Sequence, residues 1–305
     1  MAERVALVTG ARGFLGRHVA RLLSDQGCTV HGLGHGAWPR EEWSRWGLAA
    51  FREGEVAIEN LLDLVEPELI VHCAGGASVA FSMEHPLLDY QRTVDSTAAV
   101  LEYARRRAPG AAIVLLSSGS LYGSHEQDAV SESAPLSPRS PYAAHKWLAE
   151  ELCGAYGRFF GVRSAVVRLF SVYGPELRKQ LLWDACTRLA RGESSFAGTG
   201  GETRDFLHVE DAARLLLQAA DHASSSAPIV NGGSGVGATV REVVLALASA
   251  LGFAGPVTFT QAGRPGDPFR FVADNRLALS LGWAPQIPWR EGVHQYAAWF
   301  AGGAR

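Results

Sequence analysis

The chain has no basic excess, no long apolar run and no cysteine framework, and each absence removes a class of function. Lys plus Arg number 28 against 31 Asp plus Glu, a net charge of −3 over 305 residues, and no basic tract breaks that balance. A nucleic-acid or membrane-surface role therefore has no electrostatic footprint. The longest apolar runs, such as Ala111–Leu116, fall far below the ~20 residues of a membrane span. Met1–Gly10 leads straight into a predicted strand, with no basic-then-apolar export leader. Cys28, Cys73, Cys153 and Cys186 are too dispersed for a metal site or a disulfide framework. We therefore expect a cytoplasmic protein with reduced thiols and no bound metal. What is present is ample apolar material: 47% hydrophobic and 19% charged residues sustain a buried core. The length fits two domains or one large α/β unit.

Val5–Val8, Cys28–Leu33, Leu69–Cys73, Ala111–Leu116 and Ser164–Leu169 read as strands. Phe14–Ser24, Met83–Arg107 and Tyr142–Phe160 read as helices between them. That alternation predicts an α/β fold, a Rossmann-type doubly wound parallel sheet covered on both faces. Beyond Tyr173-Gly174-Pro175 the pattern loosens into short helices and glycine-rich turns at Gly198–Gly201 and Gly232–Gly237. We expect an NAD(P)-binding domain over 1–170. A smaller, mainly substrate-binding α/β domain follows over 171–305, with some segments returning to the first.

Gly10-Ala11-Arg12-Gly13-Phe14-Leu15-Gly16 closes the first strand and opens the first helix. Glycines at this spacing permit a tight turn, a close approach of backbone N–H groups to a pyrophosphate, and helix–strand packing. In NAD-binding versions an acidic residue about 20 positions on accepts from the adenine ribose. Gln26–Arg40 contains no acid, and Gly34 stands in the expected slot, followed by His35. Arg12 sits beside the middle glycine, with His35 and Arg40 as possible helpers, so the reading favours NADP(H), with NAD as the alternative. The competing reading makes Arg12 a solvated loop residue.

Tyr142-Ala-Ala-His-Lys146 opens a predicted helix, and its i, i+4 spacing places phenol and ammonium on one face. A tyrosine titrates near 10 when free; a neighbouring ammonium and a nicotinamide cation favour the phenolate and let it move protons at neutral pH. Ser117-Ser118-Gly119-Ser120 ends the Ala111–Leu116 strand, placing hydroxyls at the carboxyl edge of the sheet, where such sheets bind ligands.

With these pieces, nearly the whole chain from Val5 to Val293 resembles the extended short-chain dehydrogenases/reductases, the nucleotide-sugar epimerase/dehydratase group. The further matches are Val71–Gly75, Leu116–Gly123, Ser140–Lys146, Val167–Pro175, Gly198–Asp211 and Gly263–Asp267. The resemblance implies a catalytic set of Ser118, Tyr142 as acid/base, and Lys146 holding the cofactor ribose. It implies cofactor contacts from Glu55, Ala74 and Gly75. It also implies substrate contacts from Ser120, Ser171, Arg204 and Arg264, the two arginines gripping a nucleotide diphosphate. The alternative for those arginines is structural ion pairing. His72 and Cys73 read as packing residues.

Several positions depart from the family pattern. Thr93 and Ser171 stand where the family carries asparagines, and Gly119-Ser120 replaces the Asp-Glu pair of its dehydratases. Without that carboxylic acid, expulsion of a sugar hydroxyl loses its proton donor, which argues against dehydration. The leading expectation is NADPH-dependent reduction of an NDP-4-keto-6-deoxy sugar, ahead of an NDP-sugar 4-epimerase holding tightly bound NAD. A non-catalytic NADP-binding regulator is the third reading, and the retained Tyr and Lys argue against it. The helices Met83–Arg107 and Tyr142–Phe160 are those that pair across a dimer in related proteins. We therefore expect a homodimer, with Trp147, Leu148 and Leu152 as either interface positions or ordinary core.

Overall fold

A computed structural model describes residues 4–124, 128–261 and 269–303. Its main sheet has seven strands: β1 (Val5–Thr9), β2 (Thr29–Gly34), β3 (Leu48–Glu53), β4 (Leu69–His72), β5 (Ala112–Ser118), β6 (Arg163–Leu169) and β7 (Ile229–Gly232). All pair in parallel in the order β7-β6-β5-β4-β1-β2-β3, so the chain runs outward on one side of β1 and then restarts on the other. β7 comes from far along the chain, which re-enters the sheet between two stretches that both contribute to its smaller lobe.

The strands are buried on both faces, and their period-2 pattern divides the core. Ala6, Val8, Val71, Val114 and Val167 face one side with Val19, Ala20 and Leu23 of helix α1 (Phe14–Asp25). Leu7, Ile70, Ile113, Leu115 and Val166 face the other. Four helical pieces follow β4 and β5 on that side. They are α2 (Val79–Glu84), α3 (Pro86–Tyr90), α4 (Ser96–Arg107) and α5 (Pro141–Phe160).

The structure corrects the single helix expected over Met83–Arg107. Pro86 opens α3, and His85 before it is held at φ −131°, ψ 61°, outside the helical region, as a residue preceding proline usually is. A π-type turn, Gln91–Asp95, then joins α3 to α4. A separate cluster, including Leu182, Phe206, Val244, Val293 and Phe300, forms the core of the smaller lobe.

Buried His72 at the end of β4 pins this framework. Its Nδ1 meets the Thr9 hydroxyl at 2.6 Å, and its Nε2 lies 3.3 Å from that of Ser96. Burial, helped by the Lys146 charge, lowers its pKa to about 3, so it is a neutral linker.

Candidate active site

The carboxyl ends of β1, β4 and β5 open into one cleft of about 1130 Å³, beside the point where strand order reverses. Gly10, at φ +65°, brings β1 so close to the next loop that a Cβ there would lie 2.7 Å from the Ala74 nitrogen. A Cβ on Gly13 or Gly16 would meet the Gly10 carbonyl oxygen at 2.9 or 2.2 Å. Bare backbone at the N-terminus of α1 is what a pyrophosphate requires. The residues present therefore fit a dinucleotide. Phe14, Leu15, Gly34, His35, Glu55, Ala74 and Gly75 line the same cleft.

Arg12 also lines it, with Nη1 lying 3.5 Å from the His35 carbonyl oxygen. A Cβ on Gly36 would come within 2.4 Å of that nitrogen. The guanidinium thus stands beside His35 and Gly36, just past Gly34 at the end of β2. Arg40 instead packs over Trp43, at 5.9 Å from the ring centre, and does not line the cleft.

Ser118, Tyr142 and Lys146 converge on the same space. α5 begins with Pro141 and is capped by Ser140, whose hydroxyl accepts from the Ala143 N–H at 3.2 Å. Tyr142 N–H donates to the Ser82 hydroxyl of α2 at 3.0 Å. Burial raises the Tyr142 pKa; a hydrogen bond with Ser118 opposes the rise, and the charge of Asp89 adds to it. Lys146 is buried and donates to the Leu116 carbonyl at 2.8 Å. Burial lowers its pKa to about 8, against opposing pulls from Asp89, Cys73 and Glu150. A Cβ on Gly75 would sit 3.2 Å from Lys146 Nζ.

Thr93 accepts the Gly76 N–H at 2.9 Å and so supports the loop after β4. Beneath Ser118, Ser117 donates to buried Glu150, which is paired with Arg168 at 2.6 Å.

The residues singled out for substrate are more scattered. Ser120 and Ser171 do not line the cleft, although Phe170 and Val172 beside the latter do. The Ser120 Oγ is buried with no hydrogen-bond partner among the described residues. Arg204 lies on the strand Thr203–His208 outside the cleft lining and donates to the Thr203 carbonyl at 3.0 Å. Arg264 lies outside the described residues.

Lys179 and Gln180, in the Leu177–Trp183 loop that the sequence offers as pocket-shaping but not singled out within it, reach the cleft. They end a lip in which Glu176 (φ 76°) and Gln180 (φ 66°) adopt left-handed backbone. That conformation is strained for side-chain-bearing residues and clusters at functional sites. Arg17 and His18 of α1 tie the lip down through Glu176 at 2.8 Å and the Pro175 carbonyl at 3.1 Å.

Among the described residues no cluster of His, Cys, Asp or Glu is arranged to hold a metal. No helix among them is long and apolar enough to cross a membrane.

The model of the NAD-dependent epimerase/dehydratase family matches residues 6–233. The UDP-glucose 4-epimerase of Azospirillum brasilense is 32% identical, over 94% of this chain and 89% of its own length. The UDP-glucose 4-epimerase of Mycolicibacterium smegmatis is 30% identical, over 96% of this chain and 97% of its own. The crystal structure of Thermus thermophilus UDP-glucose 4-epimerase in complex with NAD superposes with a TM-score of 0.88 at 28% identity. That match covers 98% of this chain and all of the other.

Proposed function

The chain belongs to the NAD-dependent epimerase/dehydratase family, and from that membership we propose that it is a redox-neutral 4-epimerase of a nucleotide-diphosphate hexose. A UDP-hexose is the substrate class, as in the names of its relatives. The observation that carries this reading is the convergence of Ser118, Tyr142 and Lys146 at the junction of the glycine cradle and the Lys179–Gln180 lip. One end of the cleft suits a dinucleotide and the other an anionic nucleotide sugar. No carboxylate stands at Gly119 or Ser120, the turn after Ser118, which argues against dehydration.

A bound nicotinamide dinucleotide supplies the oxidant for C4 and the reductant for the transient ketone. Tyr142 takes the C4 hydroxyl proton and returns it, Ser118 holds the sugar oxygen, and Lys146 supports the phenolate. The expected order of activities is thereby reversed: the epimerase leads and the ketoreductase follows. Purified protein given UDP-glucose and no added cofactor should form the C4 epimer. Consumption of NADPH by a 4-keto sugar, without interconversion, would favour the reductase.

The ketoreductase keeps one supporting observation, the Arg12 guanidinium just past the end of β2. A cation there attracts a ribose 2′-phosphate, so on this second reading the site prefers NADP. Gly34 offers a direct check. Its Cβ would lie 3.6 Å from Ala11 N and from the Phe51 ring, ordinary contacts, so a side chain fits. Arg12→Ala and Gly34→Asp should each shift calorimetric preference toward NAD by roughly 10–100-fold, the value of one charge-assisted hydrogen bond. Unchanged preference in both would remove the assignment.

The protein is further proposed to be a homodimer. Met83, Leu87, Leu88, Trp147 and Leu148 form an exposed apolar face on α2, α3 and α5, whereas Leu152 packs against the core. Light scattering should return twice the chain mass; a monomer mass would refute this.

A further inference from the structure

His145 lies between Tyr142 and Lys146 in sequence, and its Nδ1 meets Asp89 Oδ2 of α3 at 2.7 Å. A carboxylate only accepts, so Nδ1 carries the proton. Asp89 is fully buried, and its Oδ1 has no hydrogen-bond partner among the described residues. That oxygen lies against Gly76, where a Cβ would approach it to 2.1 Å. The Tyr90 ring of α3 meets the His145 ring edge-on at 5.4 Å. With the Tyr142–Ser82 hydrogen bond, the first turn of α5 is thus fastened twice to the helices before it.

We infer that Asp89 and His145 form a positioning pair, fixing the turn that carries Tyr142 and Lys146 and setting a negative charge near the Lys146 ammonium, which lies against Gly75 as Asp89 Oδ1 lies against the adjoining Gly76. The inference rests on the roles proposed above for those two residues. The charged and titratable groups around the pair are few. Tyr142 and Lys146 come from α5, with Glu150 a turn further on and engaged by Arg168. Cys73 comes from the end of β4, Tyr90 from α3, and Arg92 from the π-type turn, where it is laid over Phe81 at 4.9 Å. Asp89 favours the charged form of Lys146 and disfavours that of Tyr142. A carboxylate near Lys146 thus keeps the ammonium charged for its proposed hold on the cofactor ribose, while it holds the Tyr142 phenol in its neutral form.

The chain contains two lysines, Lys146 and Lys179, and both line the cleft. Isotope-labelled lysine therefore gives two side-chain resonances, assigned by Lys179→Arg, whose titration needs no substrate. In Asp89→Asn the Lys146 midpoint should fall by about one unit or more, with Lys179 unmoved. His145→Asn keeps a donor and the Asp89 charge, and should leave the midpoint at its wild-type value. A wild-type midpoint in Asp89→Asn would overturn the inference, whatever that variant does to stability.

Should Asp89→Asn fail to fold, amide exchange across residues 142–147 decides. His145→Ala should exchange faster and His145→Asn as wild type; no change in His145→Ala overturns the pair. Neither readout uses turnover, so loss of the epimerase reading and loss of this one are separate results.

Discussion

Tyr142→Phe should lower kcat for C4 epimerisation by about 10²–10⁴-fold, the usual weight of a positioned proton-transfer group. Dinucleotide affinity should stay close to wild type. The variant removes one oxygen from a side chain whose backbone N–H, held by Ser82, is untouched. Ser118 loses its bond to the phenol but still accepts the Ser120 N–H at 3.2 Å and keeps its place at the end of β5. The Lys146 bond to the Leu116 carbonyl does not involve the phenol. Rate and binding therefore separate, and calorimetry beside steady-state kinetics reads both. Undiminished kcat would remove Tyr142 from the chemistry; a parallel collapse of dinucleotide binding would make its role structural.

The largest stability loss is expected from Glu150→Ala, about 3–5 kcal/mol by denaturant titration, because it strands a buried guanidinium. Arg168 places Nη2 2.6 Å and Nε 3.0 Å from the Glu150 carboxylate, and Nη1 3.0 Å from the Tyr122 hydroxyl. Tyr122 in turn donates to Asn231 Oδ1 at 2.7 Å, which joins β7 to the turn after β5. Both charges are almost wholly buried, 4% and 3% exposed, so water cannot replace the lost partner. Replacing both with methionine should recover much of the loss, since an apolar pair carries no desolvation cost. If the double variant is as unstable as Glu150→Ala, the cost lies in the hydrogen bonds to Ser117 and Tyr122 rather than in the unpaired charge. Catalysis is exposed to this network through Ser117, which donates to Glu150 one residue before Ser118.

The parts of this account readable in the sequence are local ones. The glycine loop works through neighbours within seven positions, Gly10 to Gly16, and the core strands carry their burial pattern as apolar runs. β3 is hard to read because its apolar run, Leu48-Ala-Ala-Phe51, is short and alanine-rich, and as an edge strand it buries only Leu48. Pro86 was visible, but a helical apolar pattern on both sides of it concealed the break between α2 and α3.

What joins the site together is non-local. Asp89 meets His145 across 56 positions, and Arg17 meets Glu176 across 159. Lys179 reaches the cleft only because the lip folds back against α1. Such pairs leave no spacing to detect. Arg12 is the reverse case: its residue type suggests a phosphate ligand, and only the fold shows that its guanidinium lies beside the His35 carbonyl, past the end of β2.

The most direct measurement of the central claim uses UDP-glucose deuterated at C4, purified protein and no added cofactor, followed by NMR. The account predicts that both C4 epimers appear, that each retains its deuterium, and that no net reduced dinucleotide accumulates. Deuterium lost to water, or no epimer formed while added NADPH is consumed by a 4-keto sugar, would contradict a redox-neutral epimerase built on Ser118, Tyr142 and Lys146.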